Sequence, residues 1–177
     1  MDAAHFVLSS YIGYIWCFVR MFIKSPSGRQ RFNVLGALNA ITHELIMITN
    51  DSYINAYSFC ELLWEIRGKY SKTDAPITLV LDNARYQKCN LVFYFARLMD
   101  IELLYLPTYS PNLNLIERLW KFVKKKCLYS KYYSDFEAFC QSISTCLSKT
   151  QTEHKKELNS LLRLNFQTFK KEQIINI

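Results

Sequence analysis

Glycine and proline are scarce in this chain, four of each among 177 residues. With half of the residues hydrophobic, that scarcity excludes collagen-like and low-complexity disordered classes. No C-x-x-C pair occurs among the six cysteines, Cys17, Cys60, Cys89, Cys127, Cys140 and Cys146. A zinc ribbon or a dithiol redox motif therefore lacks its ligands, and the scattered thiols read as small core residues in a reducing compartment. Long apolar runs are missing as well. The uncharged stretch from Phe6 to Val19 falls short of the roughly 20 residues that a spanning helix needs. Asp2 stands where a secretory leader carries a base. A soluble, cytosolic chain with no membrane partner is expected. Acids, finally, are absent from one place: between Arg118 and Lys131 there are six bases and no carboxylate.

What is present fits one domain with a real core. The formal charge is +7, and Arg118, Lys121, Lys124, Lys125, Lys126 and Lys131 account for six of it. Positive charge gathered in one stretch points to a polyanion, nucleic acid ahead of a membrane surface. On charge alone, a solvated helix face is the commoner explanation.

Strand signals fill the first half. An apolar stretch opens at Asp2, and Tyr14 to Lys24 is rich in aromatic and β-branched residues before the turn Ser25-Pro26-Ser27-Gly28. RFNVLGALNA and HELIMITND, joined at Ile41-Thr42, predict an antiparallel hairpin, with Gly36 marking a bulge or a close backbone approach. From Ile54 to Arg67, Phe59, Leu62, Leu63 and Ile66 recur at helical spacing. ITLVLD and IELLYLP read as strands buried on both faces, flanking a helix over Arg85 to Met99 in a parallel βαβ unit. A loop then enters a basic helix, followed by an amphipathic helix through Phe136, Phe139, Cys140, Ile143, Cys146 and Leu147. From Thr150 a polar tail predicts one more helix, packed through Leu158, Leu161, Leu162 and Leu164. The order predicts an α/β fold of ribonuclease H-like arrangement. Its mixed sheet has three antiparallel strands first, a parallel remainder, and helices on its faces.

Three acids matter, each with a plain reading beside it. Asp82 ends the strand ITLVLD, where ligands of open α/β sheets gather, yet an Asp before a helix also serves as a cap. Glu117 fits a capping box with Asn114 and suits the helix dipole. It also shares a stripe with Lys121 and Lys124, opposite the apolar face of Ile116, Leu119, Trp120 and Val123. Asp2 opens a strand beside Ala3-Ala4-His5, and alone it carries no message; His5 reads as a packed or edge side chain.

Together the segments DAAHF, LVLDNARYQ and YLPTYSPNLNLIERLW resemble the catalytic domain of DDE transposases of the mariner-type superfamily, which includes bacterial insertion-sequence enzymes. Between Asp82 and Glu117 lie 34 residues, the spacing of that family's glutamate-ending branch, and the likeness runs from Asp2 to about Leu147. Leu115 stands where many members carry proline. The resemblance implies a catalytic domain over residues 1–149 with its first strand truncated, and a C-terminal helical tail over 150–177. It implies the downstream part of a transposase that lacks the upstream helix-turn-helix region. Asp2, Asp82 and Glu117 would bind two Mg²⁺ (or Mn²⁺) ions, for DNA strand cleavage and strand transfer during transposition. Such ions, roughly 3.5–4 Å apart, serve an in-line displacement. Arg118, Lys121, Lys124 and Lys125 would hold backbone phosphates, with Arg29 and Arg31 as further contacts. Tyr129, Tyr132 and Tyr133 would stack on bases or, more simply, form a hydrophobic clasp. Transposon ends and target DNA are the implied partners, with a homodimer at full length and a bacterial, nucleoid-associated location. The alternative is a catalytically silent remnant that binds DNA through its basic face. A junction resolvase fits the acids but not the Ser-Pro-Asn to Leu-Trp motif.

Overall fold

The computed structural model describes residues 1–8, 16–22, 30–71, 76–107, 110 and 113–166. The expected turn at Ser25–Gly28, Arg29, Pro111 and everything past residue 166 lie outside that range.

Three antiparallel strands come first: β1 (Asp2–Val7), β2 (Arg31–Leu38) and β3 (Leu45–Asn50), in the order β1-β2-β3. Alternation sets the faces. Ala4, Phe6, Phe32 and Val34 are buried toward one side, Ala3, Leu35 and Ala37 toward the other. One polar row crosses all three strands. His5 Nδ1 meets Asn33 Oδ1 at 2.6 Å, and the fully buried Asn33 donates to Asn50 Oδ1 and Ser52 O, both at 3.0 Å. The β2–β3 hairpin forms as expected, its join pinned by Asn39, whose side chain accepts from the Ile41 and Thr42 amides.

The strand-like segment Tyr14–Lys24 behaves differently. Its described residues, 16–22, are irregular, and Trp16, Phe18, Val19, Met21 and Phe22 are exposed. Leu8 N donates to Gln30 O at 2.9 Å, so the β1–β2 pairing runs on past Val7, and the described residues 16–22 lie outside the sheet. β-propensity alone makes no strand where the tertiary context does not pair the segment.

Helix α1 (Ala56–Lys69) is capped by the Asn55 side chain and buries Phe59, Leu62, Leu63 and Ile66 as its spacing predicts. It leads to β4 (Ile77–Leu81), which pairs in parallel with β5 (Ile101–Tyr105). The connecting helix is shorter than expected. A 3₁₀ turn at Arg85–Gln87 is followed by extended backbone at Cys89, and α2 spans only Asn90–Leu98. The two parallel strands are not buried on both faces either. Thr78, Glu102 and Leu104 are exposed, because α1 and α2 cover one face while the later helices lie over β1 and β2.

The antiparallel trio and the parallel pair meet at β1 and β4, where the Met1 amino group donates to Val80 O at 2.8 Å. The sequence expectation of a mixed, helix-flanked α/β sheet is met, with one refinement: this seam is a single backbone hydrogen bond among the described residues. On the second face pack α3 (Ile116–Cys127), α4 (Phe136–Ser148) and α5 (Lys155–Leu161). Leu119, Val123, Phe139, Ile143, Leu147, Leu158 and Leu162 share one core there. Leu161 and Leu164, expected to pack, are exposed instead. Asp135 caps α4 through the Ala138 amide.

Candidate active site

Strand alternation places the first two acids on one face. Ala4 and Phe6 point toward α3, and so does Asp2 in the same phase. Leu79 and Leu81 point toward α1, so Asp82, one residue on, takes the opposite face, that of α3. Glu117 occupies the first turn of α3. The Met1 N–Val80 O bond sets Asp2 near the end of β4, where the Asp82 charge acts on it.

Two contacts bring α3 down onto that point. Asn114 Nδ2, buried, donates to Met1 O at 3.1 Å and ties the start of α3 to the start of β1. Asn114 was expected as the helix cap. The cap position is Leu115, in helical conformation and with no side-chain cap bond, while the Asn114 amide nitrogen reaches across the fold to Met1 O. The second contact is Gly36, which pairs with Asp2. A Cβ built on Gly36 would stand 2.9 Å from Trp120 Cη2. Gly36 therefore marks a close approach, and the helix that approaches carries Glu117 one turn before Trp120.

Asp82 does not cap a helix. Its Oδ1 accepts from Gln87 Nε2 at 2.5 Å, and the fully buried Gln87 is held in turn by Tyr105, whose hydroxyl donates to Gln87 O at 2.8 Å. The loop after β4 is further tied by Asn83 Nδ2 to Leu106 O at 2.6 Å.

The charges are felt across this group. Burial, then the Asp82 charge, and more weakly Glu117, push the Asp2 carboxyl up to about 6, against the pull of the Ala3 amide. Burial also raises Glu117, Asp82 adds to the rise, and Lys121 and Lys124 oppose it. Burial pushes the Met1 ammonium down to about 6, with Asp2 and Asp82 opposing. The Tyr86 phenol is pushed up to about 12, by burial first and then by Asp82 and Asp2. Asp82 thus acts on both other acids, and Glu117 acts on Asp2. Their carboxylates are nevertheless turned to other partners, Asp2 to the Ala3 amide at 2.7 Å and Asp82 to Gln87. Among the described residues no three His, Cys, Asp or Glu side chains lie close enough together to hold a metal ion.

The basic helix divides its labour. Arg118 donates to Leu161 O, Arg163 O and Asn165 O at 3.2, 2.6 and 2.8 Å and lies over the Phe166 ring. Its guanidinium is occupied in clamping the C-terminal segment. Lys126 pairs with Glu157 at 3.0 Å. Lys121 and Lys125 are exposed and Lys124 partly so; none of these three closes an ion pair among the described residues. Glu117 has no ion-pair partner among them either. Arg31, exposed, sits at the far end of β2 in a separate cleft of about 410 Å³ with Asp51, Ser52 and Tyr53. Tyr133 packs as a clasp, its hydroxyl bonded to Cys127 O and Ser142 Oγ, whereas Tyr129 and Tyr132 are exposed.

A family model described as DDE superfamily endonuclease matches residues 1–140. The chain belongs to that family. A search of curated proteins finds no match. Among solved structures, the fold of this DDE superfamily member resembles the Mos1 strand transfer complex (TM-score 0.63, 12% identity, 91% of this chain and 50% of that one). It also resembles the Mos1 transposase paired-end complex with left transposon end (0.57, 12%, 90% and 54%) and a simian T-cell lymphotropic virus intasome (0.55, 14%, 86% and 47%). At these identities the likeness is one of fold. This chain spans about half the length of those it matches.

Sequence reasoning missed Gln87 as the partner of Asp82 and misread Asn114. A signal existed for the second: an Asn ahead of an apolar helix start can cap it or reach elsewhere, and only a buried partner decides.

Proposed function

We propose that this DDE superfamily member is a transposase catalytic domain that cleaves and joins DNA strands, with Asp2, Asp82 and Glu117 as its metal-binding carboxylates. What supports this reading is the electrostatic reach of Asp82 to both Asp2 and Glu117, at the head of a helix whose Lys121, Lys124 and Lys125 close no ion pair among the described residues. The donor set is all carboxylate oxygen, which suits a hard cation such as Mg²⁺ or Mn²⁺ and not a soft one. A related fold, the Mos1 transposase catalytic domain, has been solved with Raltegravir and Mg (TM-score 0.50, 14% identity). When bound, a divalent pair supplies an activated water and charge relief on the leaving oxygen.

The chain's own groups do the rest. Gln87 orients Asp82, and Asn114 with Gly36 holds the head of α3 against β1. Lys121 and Lys124 oppose the rise that burial gives Glu117, and with Lys125 they hold backbone phosphates beside it. Arg118 supports this surface from within by fixing the C-terminal segment. Transposon ends and target DNA are the substrates, two copies of the full-length protein pair them, and the work takes place at the bacterial nucleoid.

Supercoiled plasmid and duplex DNA incubated with the chain test the reading. Nicking should require Mg²⁺ or Mn²⁺ and vanish in Asp82→Ala, while binding survives and weakens steeply with salt. Salt-sensitive binding without metal-dependent nicking would select the silent DNA-binding remnant, a reading that the unassembled carboxylates keep open.

A further inference from the structure

The outer surface of α1 and α2 is apolar, and no described residue covers it. The two helices run side by side in the same direction. Near their starts the Phe59 and Tyr86 rings meet, centroids 6.3 Å apart, and at their ends Arg67 Nε donates to Met99 O at 2.5 Å. Toward the sheet α1 buries Phe59, Leu62, Leu63 and Ile66, and α2 buries Val92 and Ala96. Helical spacing leaves Tyr57 and Trp64 outside on α1, and Leu91, Tyr94 and Leu98 outside on α2. All but Leu91 are more than half exposed. Three aromatics and two leucines at such exposure present on the order of 500 Å². That exceeds the scattered single hydrophobics of an ordinary surface.

The charges here differ from those of the basic helix. Glu61 and Glu65 flank Trp64, and Arg97 stands beside Leu98. All three are exposed, and none closes an ion pair among the described residues. The lysines of α3 belong to the other face of the sheet. Gly68, one turn after Trp64, adds an independent sign. Glycine inside a helix destabilises it relative to alanine, yet a Cβ at Gly68 would meet no described atom within 4 Å. The fold itself asks for no missing side chain there. A second helix drawing close does.

We infer that this face pairs with the same face of a second copy of the chain. Two carboxylates to one base disfavour DNA as the occupant, whereas the same charges complement themselves. A two-fold axis through the groove between α1 and α2 sets α1 against the second copy's α2 and reverses its direction. Trp64 then packs near the axis against the second copy's Tyr94, Glu61 meets the second copy's Arg97, and each contact occurs twice. With this charged rim the buried area approaches the ~800 Å² per partner of a standard interface. Copies joined this way keep both α3 surfaces open, one on each outer side. The inference rests on the fold and not on the metal reading.

Sedimentation equilibrium of the full chain, without DNA or divalent cation, should give a monomer–dimer equilibrium with a Kd that is micromolar or tighter. Trp64→Arg should raise that Kd about 30-fold or more. Glu61→Arg and Arg97→Glu should each raise it about tenfold, and the double variant should recover most of the loss. This exchange of exposed charges reports on pairing even where Trp64→Arg fails to fold. Gly68→Leu should raise Tm and yet weaken pairing, a split that a purely structural glycine does not produce. A chain that stays monomeric at every concentration overturns the inference. So does a dimer indifferent to Trp64→Arg and to the charge exchange, because another face then makes it. No readout involves DNA or metal, so failure here leaves the cleavage reading standing.

Discussion

At the scale of single residues, Asp2 carries the clearest consequence. Its carboxyl is raised from 3.8 to about 6, mainly by burial and then by Asp82. The folded chain therefore holds a proton that the unfolded chain has released. That contribution is fully present below pH 3.8 and is lost as pH rises through about 6. Without divalent cation, wild type should lose stability relative to Asp2→Asn across that window, followed by urea unfolding. At pH 7, Mg²⁺ should stabilise wild type more than the Asn variant, because a bound cation favours the carboxylate. Parallel urea curves for the two proteins at every pH would remove Asp2 from the buried group. Nothing in the sequence announced this. An Asp beside Met1 acquires meaning only when β4 and α3 close over it.

Helix α3 is the element on which the site turns, and its approach depends on a missing side chain. Gly36→Val places methyl groups where Trp120 sits 2.9 Å from an ideal Cβ. Overpacking of this kind costs about 1–3 kcal/mol, and it lifts the turn that carries Glu117. Metal-dependent nicking should fall further than the Tm loss alone explains, and Trp120→Leu in the same chain should restore part of it. The exposed side of the helix is tested by salt. Lys121→Ala and Lys124→Ala should each lower the slope of log K against log[salt] by about 1. Arg118→Ala should leave that slope alone and lower Tm, since its donors serve Leu161, Arg163 and Asn165. The amphipathic pattern of α3 is legible from spacing, and the sequence offers Gly36 as a bulge or a close approach, of which the structure shows the second. The division of labour between Arg118 and the lysines was not, because a cation's partner lies some 45 residues away in sequence.

For the molecule as a whole, the C-terminal helix is part of the same core as α3 and α4. Leu158 is 2% exposed and Leu162 is 1%. Leu158→Ala should cost about 2–5 kcal/mol in urea unfolding, as deletion of a packed Leu does, in a single transition. A second, separate transition would mean that α5 docks as an independent unit.

Periodicity and continuous apolar runs determined most of the element order by themselves: the β2–β3 hairpin, α1, the parallel β4–β5 pair, and the two helices that follow. These are local signals, a period of 2 or 3.6 written into a dozen residues. The spacing from Asp82 to Glu117 and the motif around Glu117 carried the family. Only the tertiary structure decided the rest. It broke the helix after Asp82, because Gln87 is drawn to that carboxylate and to Tyr105, and it turned Asn114 from a cap into a tie to Met1. It also left Trp16, Phe18 and Phe22 outside a sheet whose β1 and β2 were already paired. Each of these outcomes depends on a partner distant in the chain, and desolvation and hydrogen bonding act on such partners only after the backbone has brought them together.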